Sequence, residues 1–111
     1  FSELEKNVDL LPLEDTQPEK LMANLASRNC NQVLWECGPK LATEAIRQNC
    51  VQEIAAIVSP KLLGGKSAKT PLDDFGITSM DQVLLMSQAN ITKLGTDWLF
   101  RMDCPTGGKM I

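Results

Sequence analysis

The sequence predicts an α/β domain whose sheet is mostly parallel and ends in an antiparallel hairpin. Two patterns support this prediction. Between residues 8 and 58, short apolar runs of β-prone residues alternate with stretches in which apolar residues recur at helical spacing. After residue 76 the helical spacing gives way to two strand-like runs joined by a short segment. Strands that alternate with helices lie parallel through right-handed crossovers, whereas strands joined by a short turn lie antiparallel.

Three strands are predicted in the first part of the chain. Residues 7–13 read as a short strand or an extended arm that Pro12 ends. Residues 33–35 form a short apolar run, as expected of a strand covered on both faces. Residues 52–59 give a third strand.

A helix is predicted between the first two strands. Thr16 is expected to cap it, with Pro18 in the first turn and Glu19 completing a capping box. Asn29 is the expected stop. The buried stripe consists of Leu21, Met22, Leu25 and Ala26.

The corner between strand 33–35 and the next helix is the candidate site. Gly38 permits a tight turn, and Pro39 fits the first helical position, where no amide donor is needed. A helix that opens at the carboxyl end of a strand presents free amides and a positive dipole end, which suit a phosphate. Glu36 places a carboxylate in the same crevice. The alternative is an ordinary corner without a ligand, in which Glu36 caps the turn.

The second half of the chain predicts a long loop and the closing hairpin. Residues 60–71 form an irregular connection, and its three lysines either help to hold an anion or serve solubility. Its Gly-Gly-Lys-Ser run lacks the spacing of a phosphate-binding loop for a nucleoside triphosphate. Residues 81–88 and 96–104 are the predicted hairpin strands, and residues 105–111 a loose tail. A shared core face is predicted for Trp98, Phe100 and Met102.

Composition excludes several classes of function. The chain of 111 residues is one small domain or a piece of a larger one, and its formal net charge of -3 without a basic stripe argues against nucleic acid as the main partner. No apolar run approaches the roughly 20 residues of a membrane span. The absence of histidine removes histidine-based catalysis and histidine metal ligands. The four cysteines lack the short paired spacing of a metal site and are predicted to be free thiols of an intracellular protein.

Three stretches of the chain resemble one family. They are Trp-Glu-Cys-Gly-Pro-Lys-Leu-Ala at 35–42, Val-Ser-Pro-Lys-Leu-Leu-Gly-Gly at 58–65, and Thr-Pro-Leu at 70–72. The sequence resembles the C-terminal reductase domain of the bifunctional riboflavin-biosynthesis deaminase-reductase, from about residue 8 to residue 104. The resemblance implies a dihydrofolate-reductase-like, three-layer αβα fold. It also implies NADPH-dependent reduction of the ribose of 5-amino-6-(5-phosphoribosylamino)uracil.

The resemblance also implies residue roles. Glu36 is expected to contact the substrate, and no residue of the chain is assigned to the hydride transfer itself or to a metal. Cys37 departs from the glycine that the family often has there. The turn expected to line the cofactor phosphates consists of Gly38, Pro39, Lys40, Leu41, Ala42, Thr43 and Glu44.

The resemblance covers only the second half of such a domain. Residues 1–111 are therefore expected to be its C-terminal part, which begins abruptly at Phe1 without an initiator methionine and is inactive alone. The expected partners are the missing N-terminal half, a second copy of the chain and the pyrimidine ribose phosphate, in the cytoplasm or, in a plant, the plastid. No deaminase motif is present. Two alternatives remain open, a non-catalytic α/β association module and a dihydrofolate-reductase-like oxidoreductase with another substrate.

Overall fold

The structure, a computed structural model, describes residues 7–105. These residues form two helices, one three-stranded sheet and a single 3-10 turn at Met80–Gln82. In chain order the main elements are α1 (Pro18–Ser27), α2 (Pro39–Arg47), β1 (Glu53–Val58), β2 (Ser87–Leu94) and β3 (Asp97–Asp103). The last six residues of the predicted tail lie outside the described part of the chain.

The sheet has the strand order β1-β3-β2, and both strand pairs are antiparallel. The predicted strand 52–59 and the closing hairpin are thus confirmed, but residues 7–105 contain no parallel pair. Residues 33–35 and residues 9–13 are not strands in this part of the chain. The physical reason is that a strand requires a hydrogen-bonded neighbour, and none of the described residues provides one for Leu34, whose surface is 78% exposed.

Both helices begin and end through local sequence signals. Each has proline in its first turn, as predicted. The cap of α1 is Gln17, however, and not Thr16, since the helix starts at Pro18. Asn29 and Asn49 follow the two helices with positive φ angles of 64° and 59°, the left-handed conformation that ends many helices.

The first strand of the hairpin lies further along the chain than predicted, since β2 shares only residues 87 and 88 with the predicted strand 81–88. β2 begins at Ser87, six residues after the predicted start, and a two-residue turn with Gly95 at a φ of 64° connects it to β3. All eight residues of β2 are exposed, so this edge strand lacks the apolar alternation on which the prediction relied. Trp98 was expected in the core but is 40% exposed, with the Lys93 ammonium 5.6 Å from its ring centroid.

The core is small and centres on α2. It contains Ala45 and Ile46 of this helix together with Cys50 and Cys104. The accessible surface is 9410 Å², whereas a folded monomer of 12.2 kDa exposes roughly 6,100 Å². Between α2 and the sheet an apolar cavity of about 340 Å³ remains, lined by Ile46, Ile54, Leu72, Phe75, Ile77, Leu84, Met86 and Met102. The chain therefore buries less surface than a self-contained domain of its size.

Candidate functional site

The amino end of α2 is open. Gly38 caps the helix with extended backbone angles, and no side chain bonds to this end. The first helical hydrogen bond runs from the Ala42 amide to the Gly38 carbonyl, at 3.1 Å. Within residues 7–105, the amides of Lys40 and Leu41 have no acceptor. Two backbone donors therefore point out of a helix end that carries the positive end of the dipole.

Glu36 lies two residues before this cap and is exposed. The segment that carries it is attached to the body by Trp35, whose indole Nε1 donates a hydrogen bond to the Cys50 carbonyl at 3.1 Å. The Glu36 carboxylate itself has no hydrogen-bond or ion-pair partner in the described residues. Its carboxylate oxygens, two residues before the helix cap, are thus available as hydrogen-bond acceptors.

The predicted phosphate-lining turn divides into two parts. Residues 38–41 are exposed at the open end of the helix. Thr43 is 2% exposed, and its Oγ1 accepts a hydrogen bond from the Asp73 amide at 2.8 Å. Glu44 forms an ion pair with Arg47 at 2.6 Å and accepts a hydrogen bond from Gln48 Nε2 at 3.4 Å. The side chains of Thr43 and Glu44 are therefore engaged within the chain, whereas the first turn is free.

Sequence reasoning missed the contacts that support this corner. The partners of Trp35 and Thr43 lie 15 and 30 residues further along the chain, so no local spacing indicates them. Arg47 also holds the segment after Asp73, because its guanidinium donates to the Asp74 carbonyl at 3.4 Å and lies 5.3 Å from the Phe75 ring centroid.

The four cysteines are free thiols in two environments. Cys30 and Cys37 are exposed, whereas Cys50 and Cys104 are buried. Burial raises the pKa of the Cys104 thiol, and burial together with the Glu19 carboxylate raises that of Cys50. No cluster of metal-binding side chains occurs in the described residues.

Comparison with known proteins identifies the family. A model of the RibD C-terminal domain matches residues 2–100. The chain belongs to the RibD C-terminal domain family. The predicted resemblance to the reductase domain of a riboflavin-biosynthesis protein is thereby confirmed.

Two curated relatives and one solved structure illustrate the match. The riboflavin biosynthesis protein RibD of Synechocystis is 45% identical over 101 residues, which are 90% of this chain and 27% of that protein. The chloroplastic riboflavin biosynthesis protein PYRR of Arabidopsis thaliana is 32% identical over 85% of this chain and 16% of its own length. Acinetobacter baumannii RibD has the same fold, with a TM-score of 0.70 at 23% identity over 88% of this chain and 26% of that one.

The chain thus spans about a quarter or less of the length of these RibD C-terminal domain relatives. The coarse assignment, a small α/β unit of a riboflavin-biosynthesis reductase family, follows from the comparisons. Among the described residues no helix has the length and apolar character needed to cross a bilayer.

Proposed function

We propose that this chain is the cofactor- and substrate-facing part of a reductase that reduces the ribose of 5-amino-6-(5-phosphoribosylamino)uracil with NADPH. The observation that carries the proposal is the open amino end of α2 with the exposed Glu36 beside it, in a chain of the RibD C-terminal domain family. When bound, NADPH supplies the hydride. The residues of this chain supply binding and orientation.

The first turn of α2 fits an anionic group such as the cofactor pyrophosphate. Among residues 7–105 the amides of Lys40 and Leu41 are unpaired donors, and none of these residues lies within 4 Å of the position that a Cβ on Gly38 would occupy. Space is therefore available at the cap, and the dipole favours negative charge there. In the proposal Pro39 fixes the start of this turn, and residues 42–44 support it from behind.

Glu36 fits the role of a substrate contact. Its carboxylate accepts hydrogen bonds only, and both the sugar hydroxyls and the pyrimidine amine of the proposed substrate are donors. A hydrogen bond to a charged acceptor contributes about 1.5–3 kcal/mol. Glu36 would thus fix the sugar relative to the phosphates held at α2, which is the alignment that hydride transfer needs.

The proposal includes a preceding half of the same domain. That half would supply a neighbour for residues 33–35, so that the predicted parallel strands and the three-layer arrangement belong to the complete domain. The exposed Leu34, Leu62 and Leu63 are candidates for coverage by it. A second copy would pair at an exposed edge such as β2, and the chain alone would be inactive. The proposed compartment is the cytoplasm or, in a plant, the plastid.

The test is a pair of titrations on the complete reductase domain. Glu36→Gln should weaken the binding of the pyrimidine ribose phosphate by about ten- to a hundredfold, because a neutral amide replaces the charged acceptor. NADPH affinity should change much less. The exposed Glu14 offers the matched control, and Glu14→Gln should change neither affinity. Equal substrate affinity in the Glu36→Gln variant and the unchanged protein would contradict the assigned role.

A second function is favoured by the large exposed surface. The 9410 Å² of accessible area and the free edge strand β2 also suit a non-catalytic module that associates with another chain. NADPH titration of the complete domain separates the two, because the module would associate without binding the cofactor. A reductase acting on another substrate would bind NADPH but not the pyrimidine ribose phosphate.

A further inference from the structure

We propose that the hydroxyl of Thr43 is a positioning group that fixes the carboxyl end of the loop 60–72 to α2, the helix whose open amino end forms the candidate site. This inference rests on the proposed function for its effect on the cofactor, but the contact itself does not. Thr43 is the only buried polar residue among residues 7–105, at 2% exposure. Its Oγ1 accepts the hydrogen bond of the Asp73 amide at 2.8 Å. Leaving the Asp73 amide without this acceptor would lower the stability of the folded chain.

The path of the chain shows which loop this bond anchors. Asp73 contacts Thr43 in the second turn of α2, and the following residues, Asp74 and Phe75, contact Arg47 in the last turn. The chain therefore passes along α2 from its amino end towards its carboxyl end. Leu72, the residue before Asp73, lines the apolar cavity together with Ile46, so the carboxyl end of the loop is held against α2.

The other end of the loop starts from β1. The turn between α2 and β1 is short, and Ile46 near the end of α2 and Ile54 near the start of β1 line the same cavity. The loop therefore starts from a strand that borders this cavity.

Thr43 and Arg47 both hold the chain at the carboxyl end of this loop, and the Thr43 contact is the stronger of the two. The loop residues 60–71 are all exposed, including Leu62 and Leu63, so they have little packing of their own. The Arg47 contacts lie at the surface, where water competes with them. The Thr43 side chain is buried although Asp73 is exposed, so water competes less with this bond than with the Arg47 contacts. Its loss should free the end of the loop that carries Lys66 and Lys69.

The structural test is limited proteolysis of the complete domain without ligand. Thr43→Val keeps the side-chain shape and removes the acceptor, so trypsin should cleave after Lys66 and Lys69 about three- to tenfold faster. Thr43→Ser should restore the rate, and Thr92→Val on the exposed strand β2 should leave it unchanged. In the unsubstituted protein the Asp73 amide should exchange slowly with deuterium. Unchanged cleavage in Thr43→Val, or fast exchange at Asp73, would overturn the proposal.

The functional test is steady-state kinetics on the same variants. Thr43→Val should raise the KM for NADPH about three- to tenfold and lower kcat by less, because loop position affects binding more than the chemical step. Faster cleavage with an unchanged KM would overturn the link between the loop and the site while leaving the proposed function intact. If the unsubstituted domain binds no NADPH at all, the proposed function fails instead.

Discussion

Helices α1 and α2 begin and end in the same way, yet the amino end of α1 is hydrogen-bonded within the protein and that of α2 is open. Each starts with proline, and each is followed by an asparagine in the left-handed conformation and then a cysteine. The amides of Cys30 and Cys50 donate to carbonyls five residues back, at 3.1 and 2.8 Å. The same local signals thus define two helices of nearly equal length.

The amino end of α1 is filled by the protein. Gln48, which follows α2, accepts a hydrogen bond from the Glu19 amide at 3.0 Å and donates one to Gln17 Oε1 at 2.8 Å. The amides of Lys20 and Leu21 both donate to the Gln17 carbonyl. No comparable group approaches the end of α2 in residues 7–105. The comparison indicates that the open end of α2 is a specific feature and not a general property of helices in this chain.

Burial differs between the helices as well. Pro18 is the only buried residue of α1, whereas α2 buries Thr43, Ala45 and Ile46 in its second half. α2 is therefore fixed to the body by its carboxyl half, and its first turn is already helical and accessible. This combination suits a ligand site, since binding then orders few additional groups.

A negative charge at the open amino end of α2 should have the largest effect on cofactor affinity. Gly38→Asp should raise the Kd for NADPH about ten- to a hundredfold, because a carboxylate would repel the cofactor phosphates. Aspartate is a good helix cap, so the thermal stability of the complete domain should stay equal or rise. Gly38→Asn, of the same size but neutral, should lose less affinity, and Gln17→Asp at the equivalent position of α1 should leave NADPH binding unchanged. Isothermal titration and thermal melts measure both quantities. Equal affinities in Gly38→Asp and Gly38→Asn would exclude the charge effect.

Removing the side-chain partners at the amino end of α1 should lower the stability of the complete domain but not its affinity for NADPH. Gln48→Ala removes the partners of Gln17 and of the Glu19 amide, and about 1–2 kcal/mol of unfolding free energy should be lost with them. Urea denaturation of the complete domain measures this loss. Gln32→Ala, at an exposed glutamine before α2, is the control and should change stability by less than about 0.5 kcal/mol. A larger effect on NADPH affinity than on stability would argue against a purely structural role for Gln48.

The smallest expected effect distinguishes the two cysteines that end the helices. Burial and the Glu19 carboxylate raise the pKa of Cys50 in the folded chain, whereas Cys30 is exposed. The stability that this thiol contributes is fully present below the thiol pKa of the unfolded chain. It is lost as the pH rises through the higher folded value, because the unfolded thiol ionises first. Unfolding free energy measured against alkaline pH should therefore fall less steeply in Cys50→Ala than in Cys30→Ala. Identical slopes would contradict the assignment.

Local sequence signals predicted the helices. Contacts between residues distant in sequence were not predicted. Gly38 and Pro39 mark the start of α2, and Asn29 marks the end of α1, since each acts through its own backbone preference. Residues 33–35 have the composition of a strand but no neighbour in the described chain, so composition alone misled.

In the sheet and in the candidate site, too, the features set by local sequence were predictable and those set by distant contacts were not. The edge strand β2 is polar and exposed, and its pairing with β3 leaves no apolar alternation to detect. The open corner at Gly38 follows from short-range sequence. The engagement of Thr43 by Asp73 depends instead on a partner 30 residues away, which no pattern near Thr43 indicates.

The most direct measurement of the central claim is an amide chemical-shift titration of the ¹⁵N-labelled complete domain with NADPH. The account predicts that the amides of Gly38, Lys40 and Leu41 shift on binding, because they would donate to the cofactor phosphates. The amides of Glu19 and Lys20, which already have acceptors within the chain, should stay in place. Shifts concentrated at α1, or NADPH binding that leaves the first turn of α2 unchanged, would contradict it.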